Sequence, residues 1–214
     1  KGTCMEFVYD RDGNVDSWEA VMFLYKSALK KMTLNMQILN DEFEYVHQYN
    51  PIEHIKSRLK EPESIVKKLK RHGYDSTLEN MVKYVKDIAG VRIICSFTPD
   101  IYRLADMISR QNYLKVLEVK DYIKNPKPSG YTSYHMIVSV PVNIEDRVED
   151  VKVEIQIRTV AMDFWASLEH KIQYKYEGQE SAPEYISRDL RDCARIVAEL
   201  DERMWKVNQA IQEN

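Results

Sequence analysis

The chain has 214 residues, with 31 Lys+Arg against 34 Asp+Glu for a formal net charge of -3, and 44% of its residues are hydrophobic. That length and apolar content predict one globular domain rather than a disordered segment, and the charge balance argues against a protein that coats nucleic acid. Cys4, Cys95 and Cys193 form no CxxC pair, no apolar run approaches the ~18–20 residues of a membrane span and no signal peptide opens the chain, so a reducing cytoplasm is the expected setting.

Asp16 and Glu19 have capping-box spacing, and Val21, Leu24, Tyr25, Ala28, Leu29 and Met32 follow at helical intervals. Met36, Leu39, Phe43 and Val46 prolong the stripe, which predicts a helix over about 17–50, closed by Pro51. Pro62 suits the first turn of a short second helix with Ile65, Val66 and Leu69 inward and Gly73 as its stop. Ser76 and Glu79 repeat the capping spacing before Leu78, Met81, Val82 and Val85. Gly90 to Phe97 reads as a buried strand, and Pro99 and Asp100 open a further helix through Leu104, Ala105 and Ile108.

From Tyr113 the pattern turns to strands: Tyr113–Val119, Tyr134–Val142 and Val151–Arg158, with Asn143–Asp150 as a polar hairpin connection. Two helices finish the chain, from about Val160 to Tyr176 and from about Tyr185 to Gln212, with Gly178–Pro183 as the linker. The expected architecture is α+β, a mixed and mostly antiparallel sheet flanked by helices, with helical extensions at both ends. Residues 1–214 then form a single domain: an N-terminal helix over about 17–50, a core over about 51–176 and a C-terminal helix over about 184–212.

The near-neutral total conceals a division. Between His54 and His72 there are seven basic residues against two acidic ones, whereas from Glu177 to Arg203 eight acidic residues face four basic ones. The basic segment suits a compact polyanion such as a nucleoside triphosphate, or is simply a solvated helix face.

Along the last strand, Val151, Val153, Ile155 and Ile157 share one face, and Lys152, Glu154, Gln156 and Arg158 share the other. A half-solvated sheet produces this alternation; so does a sheet face lining a polar cleft. Arg92 sits between Val91 and Ile93 and needs an anion or an open face, and Asp87 just before it is suited to a hard cation such as Mg2+. The loop Asp121–Ser133 combines Lys124 and Lys127, able to meet phosphates, with Gly130 for close backbone approach and Tyr131 as a flat ring for a base, or as ordinary core edge. Neither GxxxxGK[ST] nor GxGxxG occurs.

Arg58-Leu59-Lys60 with Pro62-Glu63-Ser64-Ile65 and Lys68, then Asp87-Ile88-Ala89-Gly90-Val91-Arg92, stand in one order with two later segments. These are Lys127-Pro128-Ser129-Gly130-Tyr131-Thr132-Ser133-Tyr134-His135 and Glu154-Ile155-Gln156-Ile157-Arg158-Thr159. Together with Met162 to Lys171, they resemble the synthetase domain of the RelA/SpoT-type (p)ppGpp synthetases over roughly residues 20–210. The length looks like the single-domain branch, the small alarmone synthetases, with no His-Asp dipeptide and no room for the family's hydrolase domain. The lead-in His54-Ile55-Lys56-Ser57-Arg58 resembles the RelP type rather than the RelQ type, to which allosteric activation by pppGpp belongs.

The resemblance implies a nucleotidyltransferase-like fold and pyrophosphate transfer from ATP to the 3′-hydroxyl of GDP or GTP, with Mg2+ as cofactor and a homotetramer favoured. It implies that Arg58 and Arg92 sandwich adenine, that Lys60, Ser64 and Lys68 hold the ATP phosphates, and that Asp87 binds the metal. Glu154 would activate the 3′-hydroxyl, as general base or as a second metal contact. Tyr131 would stack on guanine, with Lys127, His135, Lys124 and Gln156 on the acceptor side, and Arg158 and His170 as positioning groups. Other acceptors, such as an adenine nucleotide or a tRNA 3′ end, and a non-catalytic nucleotide- or RNA-binding module are the alternatives. No membrane and no stable nucleic-acid partner are expected. Glu118-Val119-Lys120-Asp121 departs from both the RxKD and the ExDD patterns of the long enzymes, so their acceptor and metal preferences do not transfer.

Overall fold

A computed structural model describes residues 18–144, 147–174 and 183–212. In chain order the elements are α1 (Trp18–His47), β1 (Ile52–Leu59), α2 (Pro62–Arg71), α3 (Leu78–Tyr84), β2 (Ala89–Cys95) and α4 (Thr98–Ser109). Then follow β3 (Lys115–Asp121), β4 (Tyr134–Ile144), β5 (Arg147–Thr159), α5 (Val160–Tyr174) and α6 (Glu184–Gln212). The five strands form one sheet in the order β1-β2-β5-β4-β3. Only β2 and β5 run parallel among these neighbours; the other three pairs are antiparallel. This is the mixed, mostly antiparallel α+β arrangement expected.

The sheet has one dry and one polar face, because side chains alternate along each strand. On the dry face Val91, Ile93, Val138, Val140, Val153, Ile155 and Ile157 are all essentially inaccessible to solvent. Helix α1 lies across this face, over β1, β2, β4 and β5. Its Ala28, Met32 and Met36 are fully buried there, and Val21, Leu24, Tyr25, Leu39 and Phe43 extend the same stripe. Each such aliphatic side chain removed from water contributes about 1.5–3 kcal/mol, and this stripe, not helix propensity, fixes where the long helix sits. Val46, assigned to the stripe by spacing, falls off its end and is exposed.

Strand β1 is the element that periodicity does not announce. It lies at the sheet edge, only Ile52 is buried among its residues, and Glu53, His54, Lys56 and Arg58 face solvent. Its pairing is carried by backbone hydrogen bonds to β2, and a charged edge strand is a common protection against unwanted pairing. The cap of α3 is Thr77, whose side chain accepts from the Asn80 N–H at 3.1 Å, rather than Ser76. Gly73 has φ +77 and ends α2 as anticipated. Asp16 and most of the Gly178–Pro183 linker lie outside the described residues.

Helix α6 packs against α5 and α4 yet has no buried residue among those described. Its apolar stripe, Ile196, Leu200, Met204, Val207 and Ile211, is at least half exposed. Cys95 is buried and Cys193 exposed, and both are free thiols. Among the described residues no helix is long and apolar enough to cross a membrane.

Candidate active site

Strand register assembles the polar face. Gly90 stands beside Glu154, Arg92 beside Gln156 and Ile94 beside Arg158 across the parallel pair. On the other side of β5, Gln156 stands opposite His135 and Glu154 opposite Ile137. Strand β3 adds Lys120 opposite His135 and Glu118 opposite Ile137. A cleft of about 530 Å³ opens over this face. Of the sequence-predicted residues, Lys68, Asp87, Lys127, Tyr131, His135, Glu154 and Gln156 line it.

Asp87, just before β2, is anchored by the fully buried Ile88. The Lys60 backbone N–H donates to the Ile88 carbonyl at 2.7 Å, which places the Lys60 side chain beside Asp87. Helix α2 turns Ile65 and Leu69 inward and leaves Lys68 facing the same carboxylate. Lys60 Nζ and Lys68 Nζ each lie 2.8 Å from one Asp87 oxygen. Burial pushes the Asp87 carboxyl up, but the two lysines outweigh it and hold the group below its ordinary range.

The unfolded chain therefore binds the Asp87 proton more readily than the folded chain. This contribution to stability is complete above the ordinary aspartate range, about pH 4, and is lost as pH falls through the depressed folded value. Urea melts across this acid range should show wild type losing stability more steeply than Asp87→Asn. Equal slopes would mean that the two ion pairs add nothing to folding.

Glu154 is held differently. His135 Nδ1 lies 3.3 Å from one oxygen, and Gln156 Nε2 donates to the other at 2.9 Å. Burial raises its carboxyl and the nearby Asp87 charge adds to this, yet the His135 and Gln156 contacts win and the net direction is down. The cleft thus presents two carboxylates, Asp87 paired with two lysines and Glu154 held by His135 and Gln156.

The loop between β3 and β4 is tied at its base by Tyr122 N–H to the Ser133 carbonyl, 3.0 Å, and by Asp121 Oδ1 accepting from the Ile123 and Lys124 N–H groups. A turn closes its tip, with Gly130 N–H on the Lys127 carbonyl and Lys127 N–H on the Tyr131 carbonyl. Gly130 has φ +94, and a Cβ there would stand 2.7 Å from Ala194 Cβ on α6. Lys127 Nζ lies over the rings of Tyr122 and Tyr131 at 4.8 and 4.7 Å. Burial lowers the pKa of this ammonium, and Glu154 only partly opposes the shift.

Seven predicted residues lie outside the cleft lining. Arg58 and Ser64 are exposed, and Lys60 reaches the site through Asp87. Arg92 lies deeper along β2, its Nη1 donating to Asp163 at 3.2 Å, and Arg58 is near enough to repel it. Lys124 turns outward to the Tyr102 ring, 5.3 Å away, and to Asp121. His170 is exposed on α5 and does not line the cleft. Arg158 is buried at the inner end of the polar face.

Lys86, Glu118, Lys120, Tyr122 and Glu169 also line the cleft, with Tyr84, Ser129 and Ile137, and none of these was expected as a site residue. Lys86 and Lys120 grip Glu118 at 2.5 and 2.9 Å, and these contacts, that of Lys86 foremost, hold its carboxyl below the ordinary range. Glu118 and Lys120 alternate with Val119 along β3, so period two was a usable signal once β3 was paired with β4 in register.

Paired carboxylates ringed by lysines and an aromatic loop on one sheet face make a site for a phosphate-rich ligand that needs a counter-charge and a flat partner. The chain belongs to the RelA/SpoT family: residues 57–179 match the region found in RelA / SpoT proteins. It is 46% identical over 197 residues to the GTP pyrophosphokinase YwaC of Bacillus subtilis strain 168, a match spanning 92% of this chain and 93% of that one. The crystal structure of small alarmone synthetase 2 from Bacillus subtilis superposes with a TM-score of 0.81 at 46% identity, over 90% of this chain and 98% of the other. Small alarmone synthetase 1 from the same species, bound to its product pppGpp, gives 0.84 at 34% identity, over 92% and 98%.

Proposed function

We propose that the chain is a GTP pyrophosphokinase that transfers pyrophosphate from ATP to the 3′-hydroxyl of GDP or GTP, releasing AMP and forming ppGpp or pppGpp. The observation that carries this reading is the juxtaposition of Asp87 and Glu154 among lysines in one cleft, in a chain similar along almost its whole length to a GTP pyrophosphokinase. In the reaction the acceptor 3′-oxygen bonds to the β-phosphorus of ATP, the bond from that phosphorus to the α,β-bridging oxygen breaks, and AMP leaves.

Lys60 and Lys68, now shared with Asp87, are placed to transfer their hydrogen bonds to the ATP phosphates. Arg58, which stands opposite Gly90, and Arg92, two residues further along β2, would supply the two guanidinium planes for a planar adenine. Asp87 and Glu154 suit Mg2+, which binds by one or two carboxylates together with substrate phosphates. When bound, Mg2+ supplies charge neutralisation at the triphosphate. Glu154 takes the proton from the 3′-hydroxyl, and His135 behind it holds the carboxylate in place. Lys127 and Tyr131 form the acceptor side, with the guanine base against the Tyr131 ring once Lys127 moves to phosphate.

Incubation with ATP, Mg2+ and each of GDP, GTP and GMP, with nucleotides resolved by ion exchange, should show AMP and a 3′-pyrophosphorylated guanosine nucleotide. No product with any guanine acceptor would overturn the assignment. Tyr131→Ala is expected to raise the KM for the guanine nucleotide about tenfold or more, in line with base–aromatic stacking worth about 1–3 kcal/mol. An effect confined to ATP would refute the role of the ring.

The reaction belongs in the cytoplasm, where its substrates are. The half-exposed stripe of α6 supports self-association, and a tetramer is the expected state by light scattering.

A further inference from the structure

Asp163 lies in the first turn of α5 and has no role in the scheme above, yet it stands where the two ends of the site meet. Its Oδ1 accepts from Arg92 Nη1 at 3.2 Å and from Arg158 Nη1 at 3.1 Å. One carboxylate oxygen thus separates two like charges. After burial, the nearness of Arg158 is the largest influence lowering the Arg92 pKa. Arg92 Nε is buried and unpaired, so among the described residues the Arg92 guanidinium is held by Asp163.

Arg158 commits three more of its five N–H donors. Nε donates to Ser133 Oγ at 3.3 Å, and Nη2 donates to Tyr131 Oη at 2.5 Å and to Gln156 Oε1 at 3.0 Å. Tyr131 Oη lies 2.8 Å from His135 Nε2, whose other ring nitrogen is on Glu154. Gln156 gives a second branch to Glu154. An unbroken polar path therefore joins Arg92 on the donor side to Tyr131 and Glu154 on the acceptor side.

We propose that Asp163 is the positioning residue that couples the two nucleotide subsites, so that seating ATP on Arg92 fixes Arg158 and, through it, the Tyr131 ring and Glu154. The proposal rests on the subsites assigned under the proposed function. Its physical basis is that one oxygen shared by two cations in a half-buried site resists movement of either. An amide in its place neutralises neither, and the two guanidinium groups separate.

Calorimetric binding of GDP to the full chain with Mg2+, with and without a saturating non-hydrolysable ATP analogue, tests this without turnover. Wild type should bind GDP about five- to twentyfold more tightly with the analogue present, within the usual range of coupling between sites. Asp163→Asn should bring that factor close to one and raise KM for both nucleotides, and Asp163→Glu should restore part of it. Arg158→Lys keeps the charge, loses the fork and interrupts the same path, so it should lower the factor as well. Independent binding in wild type, a factor kept by Asp163→Asn or Arg158→Lys, or a KM change confined to one nucleotide would each overturn the coupling. A wild type that shows coupling yet forms no pyrophosphorylated product would overturn the assigned reaction instead, while supporting the link between subsites.

Discussion

Glu154→Gln is expected to lower kcat by about 10²–10⁴-fold, the range in which general bases contribute, while affinity for ATP stays close to that of wild type. The substitution removes a charge and almost no volume. Its amide oxygen can keep one of the two contacts that His135 and Gln156 now make with the carboxylate at 3.3 and 2.9 Å, and its NH2 group gives up the other. Lys60 and Lys68, proposed to take the ATP phosphates, are bound to Asp87 and not to Glu154, so the substitution leaves their hold on the donor in place. Rapid-quench turnover beside calorimetric binding of an ATP analogue separates the two effects. A variant with near-normal kcat would remove Glu154 from the chemical step, and one whose ATP affinity collapses together with its rate would make Glu154 a metal contact rather than the base.

Gly130→Ala is expected to raise KM for the guanine nucleotide about tenfold or more and to leave KM for ATP nearly unchanged. The residue is at φ +94, a region that a side chain occupies at a cost of about 1–3 kcal/mol. Its added methyl would also sit 2.7 Å from Ala194 Cβ on α6, closer than carbon atoms approach, with Trp165 at 3.5 Å behind. Neither neighbour is the free end of a flexible chain, so the loop must lift, and Lys127 and Tyr131 lift with it. In steady-state kinetics the double variant Gly130→Ala with Ala194→Gly should recover part of the loss, because the contact is relieved while the dihedral strain remains. No recovery would mean that the seat of the loop on α6 is immaterial.

Most of the sheet was legible because its strands obey simple alternation: β5 announces a dry face of Val151, Val153, Ile155 and Ile157 and a polar face carrying Glu154 and Gln156. The stripe of α1 was equally plain, since nearly every predicted position from Val21 to Phe43 is buried. Strand β1 was not, because an edge strand of charged residues pairs through backbone groups and leaves no periodic mark. Lys86, Glu118 and Lys120 escaped for a related reason. Glu118 and Lys120 look like ordinary surface charge until the register of β3 with β4 brings them beside Ile137 and His135, and Lys86 joins them through its ion pair with Glu118. Asp163 looked like one acidic residue of a helix, and only the folded positions of Arg92 and Arg158 reveal what it joins.

The parallel pairing of β2 on β5 also sets how far apart along the chain the parts of the site lie. The β4–β5 hairpin closes through neighbours along the chain and brings His135 and Glu154 together from local contacts. Asp87 arrives only when β2 docks on β5, across an intervening stretch that contains α4, β3, the acceptor loop and β4. Closing so long a stretch is entropically the slow event. Within the sheet, the pairing that brings Asp87 to Glu154 thus spans more of the chain than the one that joins His135 to Glu154, so the two carboxylates of the cleft depend on its least local strand contact.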